Sequence, residues 1–349
     1  MGYSNVGTPV FYVDNYLYHK AIGTTLTEGI PANAYNMKPQ ITTPTTNEYP
    51  SNPFTIQLPV SPVNYNLSGN MNYYIAFLNH NIGANFQIYF DSTSYPPTEG
   101  DNLITGDFED VLNGGDTGSE FSPLNGSTII TTNVAHDTLA YKLITNPISF
   151  NIGVVSTGIQ YTMPTSPNLK LSMDIEMEGI KNTATLDGSS FSNIEYTGSP
   201  LWYNGGNYTN PFEIYYDIDY DVRQTGAIRH GRKKWDLKFS YISDKDLFAA
   251  NMKSTYYSEH GTDGTMSNQY DSSDIAGSND EFMHTIETDD SFVAQVWNKT
   301  LGGGLPFIFQ PNSNNRDEFY ICKFDQSSLQ ISQSAFNVYD ISLKIEEVW

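Results

Sequence analysis

Five cationic side chains fall within twelve residues of one another: Arg223, Arg229, Arg232, Lys233 and Lys234. They stand out because the chain is strongly acidic, with Lys+Arg 17 against Asp+Glu 39 and a formal net charge of −22. Such a run has three readings: a nucleic-acid site, a solvated strand end, or a contact with an acidic protein neighbour. The rest of the chain would repel phosphate, which argues against the first. We carry the third forward, because opposite charge sets register and partner choice. In a ring of copies, a neighbour's acidic loop would supply the carboxylates.

A second candidate is Asn79-His80-Asn81, at the end of an apolar stretch. Loop residues at one end of a β-scaffold are exposed and adaptable, so His80 and Asn81 are the candidate ligand-binding pair, with a sugar or a metal ion as the ligand His80 could take. The alternative is a turn histidine bonded to nearby backbone. The acidic stretch 101–120, with Asp101, Asp107, Glu109, Asp110, Asp116 and Glu120, offers oxygens of the kind Ca²⁺ takes, but its spacing does not match an EF-hand loop. It reads equally as a solvated acidic loop. His136, His230, His260 and His284 are scattered, without ligand spacing. Gly-x-Ser-x-Gly, P-loop and dinucleotide fingerprints are absent from the sequence. The expectation is therefore a protein that is not an enzyme, with no catalytic residues, no metal and no cofactor.

The elements that must position these residues read as strands. Phe86, Ile88 and Phe90 alternate with Gln87 and Tyr89. The same period of two runs through Leu171-Ser172-Met173-Asp174-Ile175-Glu176-Met177-Glu178, through Trp235-Asp236-Leu237-Lys238-Phe239-Ser240-Tyr241 and through 338–346. Further strands are expected at 54–58, 73–78, 127–132, 138–143, 148–155, 158–163, 305–309 and 319–324. Phe292, Val293, Val296 and Trp297 share one face of a short helix over 291–300, with Asp289 and Asp290 at its start and Gly302-Gly303-Gly304 at its end. Ser243-Asp244-Lys245-Asp246 reads as a capped helical turn. Residues 23–70 read as an extended arm, and 254–281 as a polar surface loop too poor in apolar residues to offset its ordering entropy.

The fold class expected is all-β: two β-sandwich or jelly-roll-like domains with few short helices, 1–165 and 166–349. Their boundary is placed at Pro164-Thr165-Ser166-Pro167-Asn168, where two prolines break both regular periods. Length supports two domains as the starting assumption. The halves carry three basic against 12 acidic and 14 basic against 27 acidic side chains, so −9 and −13. The single cysteine, Cys322, excludes an internal disulfide and a cysteine-rich zinc site, and reads as a small buried hydrophobe. Tyr 25 and Phe 19 make the chain rich in aromatics suited to half-buried strands and protein interfaces. No apolar run approaches the ~20 residues that span a bilayer, and Met1-Gly2-Tyr3-Ser4-Asn5 lacks the basic and apolar regions of a secretion signal. Release by assembly and lysis is the expected route out of a cell.

Four segments carry a resemblance: Ser4-Asn5-Val6-Gly7-Thr8-Pro9-Val10-Phe11-Tyr12-Val13-Asp14, then Tyr74-Ile75-Ala76-Phe77-Leu78-Asn79-His80-Asn81, then Arg232-Lys233-Lys234-Trp235-Asp236-Leu237-Lys238-Phe239-Ser240-Tyr241, and Gly304-Leu305-Pro306-Phe307-Ile308-Phe309-Gln310-Pro311. Their order resembles structural tail proteins of tailed bacteriophages from marine and environmental sources. The second segment looks like part of a galactose-binding-type jelly roll, with Asn79 where glycine is commoner. The resemblance implies an oligomeric virion component of distal-tail, adaptor or fibre-attachment type. Its implied partners are further copies and other tail proteins, with no nucleic acid and no membrane. A carbohydrate-binding module recognising a host surface glycan is the alternative. The resemblance implies no catalytic residues.

Overall fold

The computed structural model describes residues 7–23, 32–39, 43–47, 55–57, 71–80, 87–91, 102–103, 119–124, 127–132, 140–144, 148–170, 172–176, 180–194, 215–216, 223–224, 231–248, 290–314 and 318–348. These residues are mostly strand, with helix confined to short pieces such as Asn15–Ala21 and Asp244–Leu247. The all-β class therefore holds. The acidic stretch 101–120, apart from its ends, and all of 254–281 lie outside the described residues, as do Asn81, Arg229 and Trp349.

Eleven strands form one antiparallel sheet. Its order is Ser172–Glu176, Arg232–Ser243, Val338–Glu347, Tyr320–Phe324, Phe307–Gln310, Val10–Asp14, Val154–Thr162, Met71–Leu78, Ser127–Thr132 and Ser119–Leu124, with Gln330–Ala335 also paired to Val338–Glu347. A second sheet of four strands contains Thr55–Gln57, Ala140–Ile144, Gln87–Asp91 and Asn102–Leu103. The sequence pattern explains the order. Strands in the middle read as unbroken apolar runs, Val10-Phe11-Tyr12-Val13 and Phe307-Ile308-Phe309, and they are buried throughout. Strands towards one end, Arg232–Ser243 and Val338–Glu347, alternate and bury one face only. A strand covered on both faces has no side to keep polar, whereas one with a wet face does.

Two apolar clusters lie on the two faces. One gathers Phe11, Val13, Ile159, Tyr161, Trp235, Leu237, Phe239, Phe307, Phe309, Cys322, Ile341, Leu343 and Ile345. The other gathers Val10, Tyr12, Tyr74, Ala76, Leu78, Ile308, Phe319 and Ile321. Consecutive residues of the middle strand thus feed opposite clusters, as the period of two demands. The sheet curls around the first cluster. Trp235 and Phe309 lie three strand steps apart, roughly 14 Å on a flat sheet at about 4.8 Å per step, yet their rings are 5.3 Å apart. Tyr161 Oη likewise donates to the carbonyl of Asp246 at 3.2 Å, from five strands away.

This arrangement corrects the expected division at 164–168. Strands from before and after that segment share one sheet and one cluster, joined where Val10–Asp14 pairs with Phe307–Gln310. The two prolines break strand periodicity, but the chain turns there without leaving the core. Met163 N–H donates to Pro9 O at 3.0 Å and Asn168 N–H to Lys238 O at 2.7 Å, so residues 163–168 strap one part of the curled sheet to another.

Two local expectations are also refined. The helix expected over 291–300 is present but wound as a π-helix, Val293–Asn298, whose widened turn buries Val293, Ala294, Gln295 and Val296 together. Its first turn is capped by Ser291, whose Oγ accepts from Ala294 N–H at 3.3 Å. The chain leaves it at Leu301, which already stands at φ 54° where glycine was expected, and Gly302 and Gly303 follow at 62° and 95°. The strand expected over 148–155 is divided at Gly153 between Ile148–Ile152 and Val154–Thr162.

The joint between the two parts of the sheet carries a buried polar chain. Tyr12 Oη donates to Gln310 Oε1 at 2.9 Å, Gln160 Nε2 donates to Tyr12 Oη at 3.3 Å, and Asn72 Nδ2 donates to Gln160 Oε1 at 2.8 Å. Removing the hydroxyl in Tyr12→Phe leaves Gln310 and Gln160 short of a partner in the interior. We expect a loss of about 1–3 kcal/mol in chemical denaturation. A Tyr12→Phe chain as stable as the parent would show that these amides rearrange freely.

Candidate functional site

Arg232, Lys233 and Lys234 open the strand Arg232–Ser243, between the edge strand Ser172–Glu176 and the last strand Val338–Glu347. Its register places Arg232 opposite Glu176, Lys234 opposite Asp174 and Lys234 opposite Glu346. Lys234 Nζ lies 2.9 Å from Glu176 Oε2 and 3.5 Å from Glu346 Oε2. The hydrogen bond to Glu176 raises the Lys234 pKa, and the same bond lowers that of Glu176. Lys233 points to the other face. Its Nζ donates to Tyr320 Oη, lies 4.3 Å from the Tyr320 ring centroid and 3.8 Å from Glu318 Oε1. Tyr320 Oη in turn donates to Glu318 Oε1 at 2.7 Å, and burial pushes the phenol pKa upward. Lys233 N–H donates to Glu347 Oε2 at 3.2 Å.

Lys233 and Lys234 are therefore engaged by carboxylates of this same chain. Alternation places them on opposite faces: Glu176 and Glu346 of the adjoining strands meet Lys234, and Glu318, just before Tyr320–Phe324, meets Lys233. Arg223 lies in a separate two-strand ladder, opposite Tyr216. Arg229 lies outside the described residues.

His80 is also placed differently from the exposed loop position expected for it. It is 6 % exposed and packs edge-on against Phe77, with ring centroids 6.4 Å apart. Burial lowers its pKa to about 4, so it is neutral at pH 7. A neutral, enclosed imidazole beside a phenyl ring belongs to the core.

Burial brings together residues that sequence periodicity did not single out. Asp14 ends the middle strand and caps the helix Asn15–Ala21, accepting from Leu17 N–H at 2.9 Å through Oδ1. It is buried, and among the described residues its Oδ2 makes no hydrogen bond of good geometry. Next to it, Asn15 Oδ1 accepts from Lys299 Nζ at 3.3 Å, and Lys299 is wholly buried after the π-helix. Tyr74 Oη and Ser156 Oγ are 2.6 Å apart on the neighbouring strands. The available signal was an aspartate closing an apolar run just before a helix, which reads as a cap. Nothing in the sequence pairs Asn15 with Lys299, which lies 284 positions away.

No family model, no curated protein and no solved structure matches this chain.

Burial raises the Asp14 pKa from 3.8 to about 6, with the helix-cap bond acting in the opposite sense. The folded chain thus holds this proton more tightly than the unfolded chain does. The stability it contributes is present below pH 3.8 and is lost as pH rises through about 6. Asp14→Asn keeps a capping oxygen and carries no charge. We expect the variant to exceed the parent in unfolding free energy above pH 6 by on the order of 3 kcal/mol, the gap closing by about pH 4. Urea titrations at several pH values check this, and a gap independent of pH would contradict it.

Proposed function

We propose that this chain is a structural subunit of a protein assembly, an oligomeric component of a bacteriophage tail that works alongside other virion proteins rather than as an enzyme. The observation that carries the reading is the placement of its exposed apolar side chains. Ile175 stands on the edge strand, and Leu169 precedes that strand, just after the Asn168 amide bonded to Lys238. Leu186 is fully exposed at the apex of the hairpin that follows the edge strand, and Tyr241 and Phe336 are 77 % and 86 % exposed on adjoining elements. Leu169, Ile175, Tyr241 and Phe336 lie on or beside the strands at one end of the sheet order, and Leu186 lies on a separate hairpin next in sequence; Ile22 and Leu301, also exposed, lie elsewhere. Concentration of large apolar side chains in one region marks an interaction surface more than isolated ones do.

These side chains are held in place. The Leu186 turn is tied by Thr185 N–H to Ser189 O at 2.7 Å, by Gly188 N–H to Thr185 O at 3.1 Å and by the Thr185 hydroxyl to Asp187. Tyr241 sits at φ 62°, a backbone conformation costly for a bulky residue, where the strand bulges between Phe239 and Ile242. Asp340 Oδ1 accepts its N–H at 3.1 Å. The bulge spends backbone strain on turning an aromatic ring towards solvent, and tyrosine is enriched in protein interfaces.

Native mass spectrometry and light scattering of the purified chain test the reading. We expect a defined oligomer, and a variant combining Leu186→Asp, Tyr241→Asn and Phe336→Ser should remain folded while shifting towards monomer. Exposed substitutions of this kind alter stability by only about 0.5 kcal/mol each, and asparagine tolerates the left-handed position of Tyr241. A chain that is monomeric at every concentration, or a variant that assembles as the parent does, would overturn the proposal.

A further inference from the structure

The large sheet ends at Ser172–Glu176, whose single strand neighbour among the described residues is Arg232–Ser243. Ser172, Asp174, Ile175 and Glu176 are exposed. The outer rim of such a strand presents backbone N–H and C=O groups ready to pair with another chain. Gly231 lets the inner strand approach closely, since a Cβ there would lie 2.5 Å from the Glu176 carbonyl oxygen.

Charge along the hydrogen-bonding direction follows a rule. Asp174, Lys234, Glu346 and Lys323 stand opposite one another on four successive strands, and their signs alternate. The row starts at the open edge with a carboxylate. Two residues further on, and on the same face, Glu176 stands opposite Arg232. Between them Ile175 turns to the other face and is 53 % exposed.

We propose that this edge receives an added β-strand from a different protein: an extended segment with basic residues at alternate positions on either side of an apolar one. The two cations fall opposite Asp174 and Glu176 and continue the alternation, while the apolar residue covers Ile175. Opposite charges directly across a ladder stabilise it and like charges oppose it, and the new main-chain bonds supply affinity as in other strand additions. A second copy does not fit. Two basic residues one position apart occur in this sequence only at Arg232-Lys233-Lys234, which already lies against the inner side of the same strand. The opposite end of the sheet, Ser119–Leu124, brings Glu120 and no cation.

The inference rests on the reading of the chain as an assembly subunit, and it is tested apart from self-association. The probes are three short labelled peptides: one containing Lys-Val-Lys, its Glu-Val-Glu counterpart, and the first peptide with methylated backbone nitrogens. Fluorescence anisotropy with the full chain at low salt should show the basic peptide binding at least tenfold more tightly than the acidic one. The methylated form should lose that binding, since it offers no strand donors. Asp174→Lys combined with Glu176→Lys should invert the preference, and the milder pair Asp174→Asn and Glu176→Gln should remove it, with thermal melts confirming that both fold. Equal binding of the methylated peptide would reduce the effect to charge attraction, and unchanged binding by the neutral pair would place the contact elsewhere. Either result overturns the inference, as does failure of the basic peptide to bind. A monomer that binds the basic peptide would defeat the self-assembly reading and leave this one standing, and an oligomer that ignores the peptide would do the reverse.

Discussion

The pairing of Val10–Asp14 between Phe307–Gln310 and Val154–Thr162 is the constraint on which the rest of this structure depends. Five residues join strands from the two halves of the sequence. Phe11 packs with Phe292, Phe307, Phe309 and Phe324 on one face, and Tyr12 with Tyr74 and Phe319 on the other. The register demands close approach. At Gly158, opposite Asp14, a Cβ would collide with the Val13 carbonyl. The hydrogen bond between Tyr12 and Gln310 spans 298 positions of sequence, so closing the joint orders a very long loop before most of its contacts form. That entropy grows only slowly with length, but such non-local pairing is a slow step in folding.

Polar groups in this core act as specification. The chain Asn72–Gln160–Tyr12–Gln310 runs across four neighbouring strands and is satisfied in only one register. A one-residue slip would turn each of these side chains to the opposite face and leave it unpaired against Phe11 or Phe309. Asp14 follows a different logic: its capping bond starts the first helix, at the cost of burying a carboxyl. The helix and the strand therefore meet at a group that burial favours in its protonated form.

The outer face of the later strands obeys electrostatic rules in place of packing rules. Their alternating pattern puts Trp235, Leu237 and Phe239 inside and leaves Lys234, Asp236 and Lys238 on the other face. There Asp236 stands opposite Lys344 as Lys234 stands opposite Glu346. The local cationic run in an acidic chain thus has an account within the sheet: it lies between two strands that bring carboxylates from both sides. The same alternation ends abruptly at the open edge, where Ile175 is exposed.

Periodicity alone determined the class of this protein and most of its strands. Alternation at 235–241 and 338–346 marked which side chains enter the core, and Ile341, Leu343 and Ile345 are there. It marked Cys322 as a buried hydrophobe, which it is. Periodicity is local, though, and the partition into cores is not. The prolines at 164 and 167 interrupt a strand wherever the chain goes next, so they cannot say whether it then enters a new core or, as here, returns across the old one. The same limit applies to the candidate residues. Sequence spacing placed five cations near one another, but only the pairing of strands decided that Lys233 and Lys234, on opposite faces, each meet a glutamate of this chain. Likewise it set His80 at a strand end, while the packing of Phe77 decided that the imidazole lies inside. Side-chain chemistry is written residue by residue, whereas burial and pairing depend on strands that meet only after segments hundreds of positions apart have come together.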